Sequence, residues 1–370
     1  MRPTKYYKLK NDEIISENGS VPLISNISSN NGVMGWSNLT ANNKGNTITC
    51  SDTTLGAETM FFQDQDFIGY SHIQNLIPKF KPFNRAIANT IITASRISTS
   101  TKYNYGNKFN REAIRSTKIQ LPVRDGKLDI EFMEDFMEGL ERERITQLNK
   151  YLSDTGLVNY SLNEQEQAVL SALTDVNWGT FKIQDVLTWQ QKIAELNPLH
   201  LDSLSVSEER KYPFYGQATT NNGIIEYRHL NDDVLNNKLS KPTILIHSNN
   251  QNTVYLETPF YLKDGHGATS VLQSDQLDNM NVQFIISSIQ KVILKKFAYN
   301  NKATKIALKN TEISLPVKSD NTPDYDYMGC VISAIQKLVI KDVCLYAEQK
   351  TVEHSDIVEV DQFDLVEVGV

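Results

Sequence analysis

Cysteine is scarce: Cys50, Cys330 and Cys344 are the chain's three, and no two stand at a paired spacing. A disulfide framework and a cysteine-rich zinc site therefore find no support, and a reducing cytoplasm is the expected setting. Long apolar runs are lacking as well; none approaches the roughly 20 residues that cross a bilayer, so no membrane partner is expected. The opening Met1-Arg2-Pro3-Thr4-Lys5-Tyr6-Tyr7 has no apolar stretch of the signal-peptide kind. His72, His200, His229, His247, His266 and His354 include no pair at ligand spacing, so no metal is assigned. Phosphate loops of the Walker type, a nucleophile elbow and a dinucleotide fingerprint are missing too, and with them any sign of an ATP or S-adenosylmethionine site. No catalytic residue and no cofactor are assigned. Asp264-Gly265-His266-Gly267 reads as a turn with an exposed histidine, and Glu134 with Asp135 as the solvated face of a helix.

What is present is enough chain for two ordinary cores: 370 residues, 40% hydrophobic and 22% charged. A net charge of −7 argues against a polyanionic partner, but the average conceals a segregation. Between Asn75 and Arg124 ten cations face only Glu112, giving +9; between Gln290 and Lys318 seven cations face only Glu312, giving +6. Acidic residues collect in the helical run after residue 125 and in the tail after Asp342. Two basic territories bounded by acidic ones suggest two surfaces that face a polyanion.

These territories belong to a repeat. Thr117-Lys118-Ile119-Gln120-Leu121-Pro122-Val123 returns as Thr311-Glu312-Ile313-Ser314-Leu315-Pro316-Val317, 194 residues later. Each proline-led junction is followed by apolar residues at three- and four-residue steps (Met133, Phe136, Met137, Leu140; Met328, Val331, Ile332, Ile335), which predicts a long helix leaving each domain. Earlier in each half, Val21 to Trp36 and Tyr212 to Tyr227 read as strand, turn, strand, with Asn-Asn-Gly supplying residues that accept positive φ. Short β-like runs follow at 46–50, 59–62, 243–247 and 253–256. Lys102 to Lys108 is then answered by Phe297 to Lys302. Offsets of 191, 194 and 195 mean one unit used twice, with loops of slightly different length. Trp178 to Leu187 opens the second half, and no counterpart is visible before Val21. The domains expected are 1–124, a first helical region 125–175, a second domain 176–318, a second helix 319–350 and an acidic tail 351–370.

This ordered, duplicated set resembles the DNA-specificity (S) subunits of type I restriction–modification systems and their type IIB relatives. The resemblance spans nearly the whole chain, and no single motif carries it. It implies an α+β fold with a pseudo-two-fold internal repeat: two homologous β-rich target-recognition domains joined by two long antiparallel helices. It also implies a non-catalytic, cytoplasmic subunit that reads a bipartite site on double-stranded DNA. Its partners would be DNA methyltransferase (M) subunits and restriction (R) subunits.

For contact chemistry, Lys102, Lys108, Arg111, Lys302 and Lys305 are candidates for phosphate, and Arg96 for phosphate or guanine. Tyr105 and Tyr299 could stack on sugar or base, or serve as core. Asn107, Asn300, Asn301 and Gln217 carry the amide geometry suited to adenine, whereas Asn30, Asn31, Asn221 and Asn222 suit the turn. Phe132, Phe136, Leu140, Val331 and Ile335 are candidates for partner binding, with packing between the two helices as the competing use. Two rival functions stay open: a stand-alone tandem polyanion- or glycan-binding module, and a hydrolase using His247 or His266.

Overall fold

The computed structural model describes residues 1–207, 210–298 and 300–364, with only the backbone described over 355–364. The chain divides into two compact units, the first from Met1 to Tyr151 with the residues from Gln349 onward, the second from Leu152 to Glu348.

In the first unit the strands are β1 (Arg2–Pro3), β2 (Val21–Ile24), β3 (Val33–Ser37), β4 (Thr47–Ser51), β5 (Phe61–Gln63), β6 (Ile68–Gly69) and β7 (Ile73–Leu76), with a hairpin of β8 (Val123–Arg124) and β9 (Lys127–Leu128). They form a four-stranded sheet β1-β7-β4-β5 and a three-stranded sheet β3-β2-β6. With them come the helices α1 (Asn11–Ile14), α2 (Arg85–Thr99), α3 (Arg111–Ser116) and the long α4 (Ile130–Asp154). The second unit runs α5 (Glu164–Ser171), β10 (Trp178–Lys182), α6 (Ile183–Val186), β11 (Thr188–Trp189), β12 (Glu195–Leu196), β13 (Tyr212–Tyr215), β14 (Ile224–Arg228), β15 (Thr243–His247), β16 (Thr253–Leu256), β17 (Tyr261–Lys263), β18 (Thr269–Gln273), α7 (Asn281–Lys296), α8 (Lys305–Lys309) and β19 (Glu312–Pro316). The long α9 (Tyr325–Asp364) follows. Its sheets are β11-β18-β15-β16, β12-β17-β13-β14 and the pair β10-β19.

The two units repeat one design down to its irregularities. β2 pairs with β3 through a register shift at Leu23/Ile24, and β13 pairs with β14 through the same shift at Phe214/Tyr215. Asn30, Asn31 and Gly32 all have positive φ, as do Asn221, Asn222 and Gly223. Asparagine tolerates this region because its short amide bonds the local backbone. Accordingly Asn30 Nδ2 donates to the Val33 carbonyl at 3.1 Å, and Asn221 Nδ2 to the Ile224 carbonyl at the same distance. Asn43 Oδ1 accepts from Lys5 N–H, and its counterpart Asn236 Oδ1 from Ala194 N–H. The repeat thus reaches back before Val21, into residues whose polar character carries no visible pattern.

Packing explains the layers. On β4, Ile48 and Cys50 face α2 and meet Ala88, Ile92 and Phe62, while Thr47, Thr49 and Ser51 point to the other side. There Gln63 Nε2 donates to Thr49 Oγ1 at 3.0 Å, so the buried hydroxyl is satisfied. On β15, Ile244 and Ile246 face α7 and its Val282, Ile285, Ile289 and Ile293. Each fully buried aliphatic side chain contributes roughly 1.5–3 kcal/mol. Helices α2 and α7 were not named in the sequence reading, whose basic stretches hold all of α2 and only the end of α7. Cations occupy the solvent side, and the isoleucines at helical spacing dock on the sheet.

The two proline junctions differ. Ile313 and Leu315 on β19 are buried, and β10 covers that strand in antiparallel register from Trp178↔Pro316 to Lys182↔Glu312. Among the described residues, no strand pairs with 118–122 in the first unit.

Candidate nucleic-acid interface

The basic loops fall at the same point of each unit, between the sheet-covering helix and a short helix. In the first unit the loop closes with a bridge of Asn104 to Asn107, and Asn104 Oδ1 accepts from the N–H groups of Gly106 and Asn107, each at 3.0 Å. In the second, Ala298 bridges Asn301, and Asn301 Nδ2 donates to the Lys296 carbonyl at 3.0 Å. Both loops are pinned from below. Phe109 N–H donates to the Thr54 carbonyl at 2.8 Å, and Ala303 N–H to the Ser248 carbonyl at 3.1 Å; both residues are fully buried. Each loop leads into a capped helix: Asn110 Oδ1 accepts from Ala113 N–H, and Thr304 Oγ1 from Ala307 N–H. A capped first turn fixes where the first helical residue points, and that residue is Arg111 in one unit and Lys305 in the other.

Most of the candidate contacts are exposed on these loops: Lys102, Tyr105, Asn107, Lys108, Arg111, Asn300, Asn301, Lys302 and Lys305. Tyr105 is 87% exposed, with the Lys108 ammonium 5.0 Å over its ring, whereas its neighbour Tyr103 packs on Phe109 at 4.9 Å. Tyr299 lies outside the described residues. The amides of Asn107 and Asn300 make no side-chain hydrogen bond among the described residues. Two candidates have structural duties. Arg96 donates from Nη2 to the Met60 carbonyl at 2.9 Å and lies over the Phe61 ring, and Gln217 Oε1 accepts from Asn249 Nδ2 at 2.7 Å.

Sequence reasoning missed Asp52, His72 and Gln74, which lie at the foot of the first loop. The Asp52 carboxylate is buried and accepts from Arg111 Nε at 2.6 Å, Gln74 Nε2 at 2.8 Å and His72 Nδ1 at 3.1 Å. Residues 52, 72, 74 and 111 share no local spacing, so only the folded sheet unites them. Glu134 also departs from its expected solvated role: it accepts from Asn84, the N-cap of α2, and so ties α2 to α4.

The partner-binding candidates divide between the units. Phe132 and Phe136 stack at 5.9 Å and are 48% and 57% exposed. Phe136, Met137 and Leu140 line a groove of about 350 Å³ with Ile97 and Gln120. At equivalent positions of the second unit, Val331, Ile332 and Ile335 line one of about 890 Å³ with Trp178 and Phe284. Val331 is itself buried at 4% exposure, while Ile335 is 45% exposed.

The two histidines of the hydrolase reading lie in opposite surroundings. His247 is fully buried with Nδ1 on Thr269 Oγ1 at 2.9 Å, and burial lowers its pKa to about 4. His266 is 94% exposed beside Asp264. No helix among the described residues is long and apolar enough to cross a membrane.

Comparison with known proteins agrees with this architecture. Residues 4–150 and 175–343 match the family described as the type I restriction modification DNA specificity domain, and the chain belongs to that family, with two copies of its domain. The resemblance drawn from the sequence is thereby borne out. The chain is 24% identical over 306 residues to the type II restriction enzyme BgcI specificity subunit S.BcgI of Heyndrickxia coagulans, covering 78% of each protein. In fold it is similar to a type I restriction–modification S subunit from M. genitalium, with a TM-score of 0.54 at 13% identity, over 97% of this chain and 91% of that one. The α+β repeat expected from the sequence is the fold observed.

Proposed function

We propose that this chain is the non-catalytic DNA-recognition subunit of a cytoplasmic restriction–modification complex. It binds a bipartite sequence on double-stranded DNA, one part per unit, and positions methyltransferase and nuclease subunits there. The observation that carries this reading is the recurrence of one exposed, capped, cation-bearing loop at the same point of two repeated units. A glycan or general polyanion module needs positive charge but not two rigid platforms that end in different side chains. Lysines on the loops hold phosphates, and the exposed amides of Asn107 and Asn300 offer paired donor and acceptor to adenine. Phe132, Phe136, Leu140 and Ile335 offer apolar surface to the protein partners.

The experiment is to map methylated bases in DNA from cells with and without this chain. The reading expects a split motif that vanishes when the chain is deleted. Methylation that is unchanged by the deletion overturns it, and sequence-blind binding favours the polyanion module instead.

A further inference from the structure

The repeat offers an internal control, because residues that build the scaffold should agree between units while residues that read different bases should not. At the end of the central strand the scaffold agrees. Asp52 N–H donates to the His72 carbonyl at 2.9 Å, and Ser248 N–H to the Ala268 carbonyl at 2.9 Å. The side chains there do not agree: Asp52, His72 and Arg111 in the first unit stand where the second has Ser248, Ala268 and Lys305.

The first set is organised around one carboxylate. Asp52 is 6% exposed in its side chain, and a buried carboxylate is tolerable only with strong donors, here three. Arg111 is held by Nε alone and is 52% exposed. Its two terminal amines have no partner among the described residues, and the bond to Asp52 fixes the plane in which they lie. A phosphate can take the same fork on two oxygens, but a phosphate contact is common to every sequence and gives no reason for the two units to differ here. A fork of two donors in a set plane fits an edge with two acceptors side by side, which in the major groove is guanine with O6 and N7. His72 donates from Nδ1 to the carboxylate, and its ring is 62% exposed. Its backbone sits at φ +65°, a region that residues with a side chain seldom occupy and that recurs at functional positions.

We propose that Asp52, His72 and Arg111 form a guanine-reading subsite of the first unit. Arg111 makes the base contact and Asp52 is its positioning residue; Ser248, Ala268 and Lys305, at the equivalent positions of the second unit, form no such subsite. The proposal rests on the DNA-recognition reading. It is tested by selecting duplexes from a randomised library with the intact chain, as wild type, Arg111→Lys and Asp52→Asn. Arg111 is exposed, so its lysine variant keeps charge and fold while losing the fork. Discrimination for guanine at one position of one half-site is expected to fall on the order of tenfold or more in Arg111→Lys, with the other half-site and the salt dependence unchanged. Asp52→Asn is expected to lose the same preference although Arg111 is intact. If Arg111→Lys keeps the guanine preference, or weakens every sequence equally, the subsite is wrong and the wider reading stands. A wild-type chain that selects no sequence overturns both.

Discussion

Glu166 and Lys337 meet at 2.9 Å across 171 residues of chain, joining α5 to α9 within the second unit. Burial pushes the Glu166 carboxyl up, but bonds from Ser333 Oγ, Asn163 N–H and Lys337 outweigh it and hold the group below the usual carboxylate range. The same glutamate completes the capping box of α5, with Asn163 Oδ1 accepting from its N–H at 2.8 Å. One side chain therefore starts a helix and fastens it to a longer one.

Glu166→Ala removes the side-chain half of the capping box, the bond from Asn163 N–H, and leaves the Lys337 ammonium, 18% exposed, without its counter-charge. The expected cost is about 2–3 kcal/mol, below the full penalty of a buried pair because the lysine retains some contact with water. Urea unfolding of the second unit checks this; a shift in midpoint worth less than about 0.5 kcal/mol contradicts the role given to the pair.

His247 gives the second unit a pH dependence whose sign follows from its burial. The folded form keeps the ring neutral down to about pH 4, against an ordinary value of 6.5. The unfolded chain therefore takes up a proton that the folded one refuses between those values. Stability from this group is present above about pH 6.5 and is lost as pH falls toward about 4. The loss amounts to about 3 kcal/mol in full and about 2 kcal/mol between pH 7 and about pH 5. His247→Leu should flatten that slope in unfolding measured at the two pH values, and an unaltered slope would assign it to other groups.

Lys108 tests the character of the first loop. Its ammonium lies over the exposed Tyr105 ring, away from the core. Lys108→Ala should weaken binding to every duplex alike and lower the slope of log affinity against log salt by about one ion. A loss confined to one sequence would make Lys108 a base reader.

Much of this fold was legible because its markers are local. Asn-Asn-Gly announces a turn that needs positive φ, and the two Leu-Pro junctions announce the long helices, which begin at Ile130 and Tyr325. Duplication then turned weak local signs into a strong joint one. Less legible were α2 and α7, where lysines and arginines drew attention from the isoleucine spacing at Ile87, Ile91 and Ile92 and at Val282, Ile285, Ile289 and Ile293. The Asp52 cluster was invisible because strand pairing, not spacing, brings 52 and 72 together, and α3 delivers Arg111 from 59 residues away. In the first unit Tyr105 and Tyr103 look alike in sequence; the fold sends one to solvent and the other onto Phe109.

On the proposed function, the units supply specificity and the long helices supply spacing. Its most direct test is to insert four residues after Arg144 in α4 and after Val339, the counterpart in α9, and then map the methylated motif. Four helical residues add about 6 Å, close to two base-pair steps. The account expects both half-sites to keep their bases while the gap between them changes by about one or two base pairs. An active complex whose motif keeps its original gap would contradict it.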